Sequence, residues 1–319
     1  MTLTNAAPPY VKSEFTVSSM MHSMLAALLA LLVIPVAHYG LRPLVAAGAS
    51  VLTALLCRIL FRLFRGKGGS VSEASVLVTG LMVPMLLPLN TPLWLPCTAS
   101  AFAVLVALEP FGGFGRNPFN PAAAGVAFVS LCWPKRVFSY FDPSQPASFP
   151  AFGAGVFHVA QSPAEILKQG FKPEILPLDM LWGNFPGPLG STLILVIGAC
   201  GLLLFLTGAG KAETTLCFLG AAALIAAAFP RILCSPLTSV KYEIMSGSLL
   251  FCSVFMVTAP RTSPGRCLYG AFAGAMTMAF RWFGAYEQGA CFALLVANAA
   301  APVIDSAVFR LRGWEGAAA

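Results

Sequence analysis

One stretch of the chain gathers the residue types and spacings that chemistry could use. Phe111-Gly112-Gly113-Phe114-Gly115-Arg116-Asn117-Pro118-Phe119-Asn120-Pro121-Ala122 holds three glycines and two Asn-Pro pairs. Glycine lets a backbone come close to another chain or to a ligand. Each Asn-Pro pair forces an extended residue before its proline and can start a helix. The asparagine amides can bind backbone or a polar ligand. The stretch therefore reads as a tight corner, with or without a bound molecule. Elsewhere the inventory is thin. The nine cysteines (57, 97, 132, 200, 217, 234, 252, 267 and 291) are nowhere closer than 15 residues, so neither zinc nor iron–sulfur spacing is present. They read as small apolar fillers. His22 and His38 stand near opposite ends of one apolar run and His158 lies far away; this suits interfacial histidines better than a pair of haem ligands.

The elements that position these residues follow from composition. Of 319 residues, 58% are hydrophobic and 10% charged, against roughly 25% charged in an average soluble domain. A disordered chain is excluded, and a water-soluble globule cannot cover so much apolar surface. The apolar residues suffice for roughly nine or ten membrane helices of about 20 residues. Ten spans can be drawn, at about 20–38, 43–58, 74–89, 92–108, 120–134, 188–208, 212–230, 244–260, 267–283 and 288–308. Several are short or contain proline (Pro35, Pro84, Pro88, Pro302), which suggests buried, interrupted helices, because lipid offers no partner to a free backbone group. The fold class is thus all-α, a polytopic integral membrane protein with about ten transmembrane helices in two five-helix inverted repeats. Its divisions are a segment 1–19, a first half 20–134, a polar loop 135–187, a second half 188–309 and a tail 310–319. With ten spans both termini share a side. Eleven Lys and Arg fall on that side and eight on the other, four of them in the long loop. The termini are therefore expected to be cytoplasmic and the 135–187 loop external. The formal net charge of +7 reads as topology, not as a nucleic-acid-binding face.

The 111–122 stretch resembles the GGxGxNPFNPA corner of the family that unites the D-type subunit of the Rnf complex with the B-type subunit of Nqr, the Na⁺-translocating NADH:quinone reductase. These are membrane subunits of ion-pumping redox complexes. Further matches follow in order: Val76-Leu77-Val78-Thr79-Gly80-Leu81 to Pro92-Leu93-Trp94; Gly183-Asn184-Phe185-Pro186-Gly187-Pro188-Leu189-Gly190; and Gly284-Ala285-Tyr286-Glu287-Gln288-Gly289 through Leu294-Leu295-Val296-Ala297-Asn298 to Pro302-Val303-Ile304-Asp305. The resemblance runs from about 11 to 312. It implies electron transfer through flavin in a bacterial inner membrane, coupled to Na⁺ or H⁺ movement. It also implies a subunit without activity of its own, dependent on other membrane and peripheral subunits. Members carry FMN on a threonine of a Ser-Gly-Ala-Thr motif in the loop after span five, and some hold riboflavin within the membrane part.

The chain departs from that pattern twice. Ser-Gly-Ala-Thr is absent from 135–187, and alignment on Ile166-Leu167-Lys168 and Gly170 puts Ser162 at the acceptor position, followed by Pro163. A second register, anchored on Pro177-Leu178-Asp179, puts Leu176 there. This leaves FMN on Ser162, a non-covalent flavin, or no flavin at this place as alternatives. At Val257-Thr258-Ala259-Pro260, Ala259 replaces the family's intramembrane carboxylate. Glu109 matches the acid before the family's Gly-Gly corner and becomes the ion-pathway candidate, with an interfacial pair to Arg116 as the plain alternative. The expected cofactor-binding residues are Ser162, Gly112, Gly113, Asn117, Asn120 and Asn184; no catalytic or metal-ligating residue is expected. The competing functions are a non-redox transporter or channel on the same scaffold, and a structural paralogue without flavin.

Overall fold

The computed structural model describes residues 17–65, 73–113, 115–153, 155–257, 265–287 and 289–311. Ala259 and its neighbours, and Lys12, Lys67, Arg261 and Arg312 of the charge count, lie outside them. The regular structure of the described residues is helical apart from one short pair of strands and an isolated bridge between Ser148 and Val156. Among the described residues, three helices are long and apolar enough to cross a membrane: Ser18–Tyr39, Arg42–Phe64 and Ala290–Arg310. Five shorter apolar helices accompany them.

The first half opens with α1 (Val17–Tyr39) and α2 (Arg42–Arg65), joined at Gly40, whose φ of +75° suits a residue without Cβ. The apolar pattern places the end of this second span near 58; the helix runs on to Arg65, with Arg58 inside it, buried and paired with Glu109. α3 (Glu73–Met85) is one of the interrupted helices. It stops short of the 74–89 span, and the carbonyls of Met85 and Leu87 accept N–H groups of Gly190 (2.8 Å) and Leu189 (3.0 Å). Two backbone groups freed by the break are thereby satisfied within the protein, as lipid requires. Gly190 is needed at this crossing: a Cβ there would stand 2.7 Å from Met85 Cβ.

α4 (Trp94–Phe102) passes into a π-helical stretch, Ala103–Leu108, and α5 (Pro121–Cys132) follows the glycine corner. α2, α3 and α4 are tied by buried hydroxyls: Ser50 donates to the Gly80 carbonyl at 2.6 Å and meets Ser100 Oγ at 2.5 Å.

The 135–187 segment folds as α6 (Pro134–Val137), strands β1 (Tyr140–Phe141) and β2 (Val159–Ala160), α7 (Pro163–Lys168) and α8 (Pro177–Trp182). The strands pair antiparallel, Tyr140 opposite Ala160. The segment is anchored to both halves. Tyr39 of α1 packs edge-on to Phe141 and Phe149, with ring centroids 5.0 and 6.1 Å apart. Buried Arg42 donates to the carbonyls of Thr91, Gly153 and Ala151 at 2.9, 3.2 and 3.3 Å. On the other side Leu167, Met180 and Phe185 share a small apolar core with Ile232 and Tyr242.

The second half comprises α9 (Ile194–Leu206), α10 (Ala212–Ala228), α11 (Pro236–Met245), α12 (Leu249–Phe251), a second π-helical stretch Cys252–Met256, α13 (Arg266–Phe283) and α14 (Ala290–Leu311). The span drawn at 244–260 is broken at Ser246-Gly247-Ser248, where Gly247 has φ of +61°. α10 and α13 pack tightly where Gly270 and Gly274 face α10: a Cβ on Gly270 would collide with Thr214 O, and one on Gly274 with Phe218 O. This is the small-xxx-small contact that holds helices together in lipid. Large apolar side chains such as Leu63, Phe64, Leu206, Leu224 and Phe283 remain exposed, as a lipid-facing surface requires and a water-facing one would not tolerate.

Candidate functional site

The expected site residues fall into three separate places. At the first, Glu109 lies at the C-terminal end of the π stretch, its N–H bonded to Val104 O at 3.0 Å in the i to i+5 pattern. Its carboxylate faces Arg58 of α2 at 3.7 Å, both groups buried. The partner is Arg58 rather than the Arg116 weighed from sequence; the Arg116 side chain instead folds against Gly112. Proximity in sequence favoured Arg116, but a helix contact between α2 and the π stretch brings a residue 51 positions upstream closer.

At the second, Gly112 and Gly113 have φ of +93° and +86° and reverse the chain. The asparagine amides are engaged by backbone. Asn117 accepts from Gly115 N at 3.2 Å and donates to Phe119 O at 2.7 Å. Asn120 caps α5 by accepting from Ala122 and Ala123 N–H, the usual satisfaction of free helix donors. Its amide nitrogen donates to Met256 O at 3.0 Å, the last residue of the second π stretch. One side chain thus joins the start of a short helix in the first half to the end of another in the second.

At the third, Ser162 is 1% exposed and caps α7, accepting from Glu165 N at 3.1 Å. Its hydroxyl proton is donated to Glu287 Oε2. Glu287 sits in the corner between α13 and α14 and is 4% exposed, with Tyr140 of β1 facing the same carboxylate. Lys168 at the end of α7 donates to Ala285 O in the same corner. Phe138 stacks on Tyr286 with centroids 5.0 Å apart. Burial raises the Glu287 carboxyl from 4.5 to about 7; the Ser162 and Tyr140 hydroxyls oppose the rise, Glu165 adds to it and Arg281 opposes it. Asn184 lies apart, exposed, its backbone N–H bonded to Asp179 O at 2.8 Å.

Of the alternatives open at this place, an ester of FMN on Ser162 is the one that the residues present do not fit. Esterification would remove the proton given to Glu287. It would set an anionic phosphate against that carboxylate, inside packing that leaves Ser162 almost no surface. Gly112, Gly113, Asn117 and Asn120 lie elsewhere, the two amides already taken up by backbone.

Beside the Glu287 corner lies an ionic cluster of Arg231, Glu243 and Arg281, residues far apart in the sequence. Glu243 of α11 accepts from Arg231 at 2.5 Å and from Arg281 of α13 at 2.8 Å, all three side chains being 4% exposed or less. Arg281 also donates to Glu243 O and Ser246 O at 2.6 and 2.7 Å. The signal was available in the sequence: acids and arginines set next to apolar runs in a chain with so little charge. What it lacked was any indication of which charges share a place.

The sequence of the chain matches, over residues 4–311, the family described as NQR2, RnfD, RnfE. It is similar to the D-type subunit of the proton-translocating ferredoxin:NAD(+) oxidoreductase complex of Clostridium ljungdahlii, with 28% identity over 95% of this chain and 93% of that protein. It is also similar to the D-type subunit of the Na(+)-translocating ferredoxin:NAD(+) oxidoreductase complex of Acetobacterium woodii, with 27% identity over 96% and 93%. A third relative, the D-type subunit of the ion-translocating oxidoreductase complex of Tolumonas auensis, is 26% identical over 96% and 97%.

Proposed function

The chain belongs to the NQR2, RnfD, RnfE family, and from that premise we propose that it is the D-type membrane subunit of a complex coupling ferredoxin- or NADH-linked electron transfer to Na⁺ or H⁺ movement. The observation that carries this reading is the extent of the likeness: nearly the full length of this chain and of relatives named as such subunits. The fold supports it. Interrupted apolar helices meet end to end at Asn120 and Met256, and irregular backbone at membrane depth is kept where it is buried in protein or lines a path. In this reading the chain crosses a bacterial inner membrane about ten times in two inverted halves. Both termini are cytoplasmic and 135–187 lies on the opposite side. The subunit turns nothing over alone; partner subunits deliver the electrons. In this reading a flavin used by the assembled complex is not esterified to Ser162, whose hydroxyl is given to Glu287. Glu109, held against Arg58, is the acid nearest the glycine corner and the first candidate for an ion path.

The test is made in inverted membrane vesicles from cells that lack this chain. Ferredoxin-driven NAD⁺ reduction and the cation uptake that accompanies it are expected to disappear together and to return with the plasmid-borne gene. Unchanged electron transfer and uptake in the deletion strain would overturn the reading and favour a separate transporter.

A further inference from the structure

We propose that Glu287 is a proton-binding site at the junction of the 135–187 segment with the α13–α14 corner, and that Ser162 serves as its hydrogen-bond donor, not as the carrier of an ester. The site is assembled from four parts of the chain. β1 supplies Tyr140, the start of α7 supplies Ser162 and Glu165, the corner supplies Glu287, and α13 supplies Arg281. Lys168 closes the corner through the Ala285 carbonyl. Behind Arg281 stand Glu243 and Arg231.

The geometry favours a proton over a larger cation. One carboxylate oxygen, Oε2, receives the Ser162 proton. The other, Oε1, is buried and has no hydrogen-bond partner among the described residues. An ionised oxygen left so is costly, and protonation removes the cost without requiring space. A metal cation would need several oxygen ligands there, and would meet the positive charge of Arg281. The charge balance leads to the same conclusion. Glu243 already serves two arginines, so of the two buried carboxylates here it is Glu287 whose charge the cluster can lose or regain. Binding is a plain proton transfer: water or hydronium gives H⁺ to the carboxylate, and no electron moves. Protonation of Glu287 stands independently of the translocation reading; use of that proton in ion movement would rest on it.

The test uses the full chain in lipid nanodiscs. Infrared difference spectra across pH 4–10 should show a protonated-carboxyl band that is lost with a midpoint near 7 and is absent in Glu287→Gln. In Ser162→Ala the midpoint should move up by half a pH unit or more, because the donor that favours the ionised form is gone. If Glu287→Gln does not fold, the Ser162→Ala shift decides alone. A band that titrates below pH 5, or one unaltered by both substitutions, overturns the site. In parallel, the chain is co-expressed with a flavin transferase and the peptide containing Ser162 is weighed. Its mass should be unmodified, and an FMN adduct on Ser162 would overturn the assignment of its hydroxyl to Glu287. Loss of cation uptake in the assembled complex is a separate measurement. A titrating Glu287 with unimpaired uptake in Glu287→Gln leaves the proton site standing and removes it from the ion path.

Discussion

Glu287 has a consequence for stability as well as for proton binding. Its carboxyl rises from 4.5 to about 7 in the folded chain, so the fold favours the protonated form. The associated stability is complete below about pH 4.5 and is lost as pH rises through 7; the difference corresponds to roughly 3 kcal/mol. The expected effect is local. Amide exchange in β1, β2 and α7 should quicken as pH is raised from 5 to 8, beyond the intrinsic pH dependence of exchange, and Glu287→Gln should abolish that extra change. Glu243 behaves oppositely, since two arginines hold its carboxyl below the ordinary value despite burial. Glu243→Gln leaves Arg231 and Arg281 buried without a counter-charge. A loss of about 3–5 kcal/mol is expected, visible as a lower Tm in detergent. A neutral outcome would mean that water reaches the cluster.

At the scale of elements, glycine decides how closely helices pack. Gly274 of α13 leaves no room for a Cβ against Phe218 O of α10, and Gly125 of α5 none against Ala99 O of α4. Gly274→Ala and Gly125→Ala should each cost about 1–3 kcal/mol by forcing packed helices apart. Gly220, on α10 itself, meets nothing within 4 Å. Gly220→Ala is therefore the internal control, expected to be neutral or stabilising by up to about 1 kcal/mol. Thermal unfolding of the three variants side by side separates close packing from helix propensity. The π-helical stretches follow the same logic of position: each ends where a backbone group is taken by a distant residue or a buried acid begins, Met256 O by Asn120 and Glu109 beside Arg58.

For the whole molecule, the 135–187 segment acts as a bridge. It is fastened to the first half by Arg42 and the Tyr39–Phe141–Phe149 rings, and to the second by the Leu167–Tyr242 core and the Glu287 corner. A charge-biased topology makes a direct prediction about its side. Gln145→Cys, on the exposed part of the segment, should react with a membrane-impermeant maleimide in intact cells. Arg310→Cys, at the exposed end of α14, should react only in inverted vesicles. The reverse pattern would invert the proposed topology. The bridge also bears on the proposed role of Ser162: its hydroxyl, given to Glu287 in a buried hydrogen bond, fastens the segment to the α13–α14 corner.

The sequence alone determined the solvent and the lineage. A composition with 10% charge has nowhere to exist except lipid, and the ordered corners Gly112-Gly113, Asn117-Pro118, Asn120-Pro121 and Gly183-Asn184 were legible because each depends on local backbone chemistry. The same locality made Asn120 readable as a helix start, and it caps α5. Pairings across distance were not legible. Glu109 with Arg58, Glu243 with Arg231 and Arg281, and Ser162 with Glu287 join residues 12 to 125 positions apart. In a sequence each of these charges reads as a topology marker or a cap, because burial and the identity of the facing group are set only when helices dock. The tertiary structure therefore decided what the hydroxyl at 162 does. Low dielectric and one donated proton bind it to a carboxylate that the linear pattern showed only as part of a family motif.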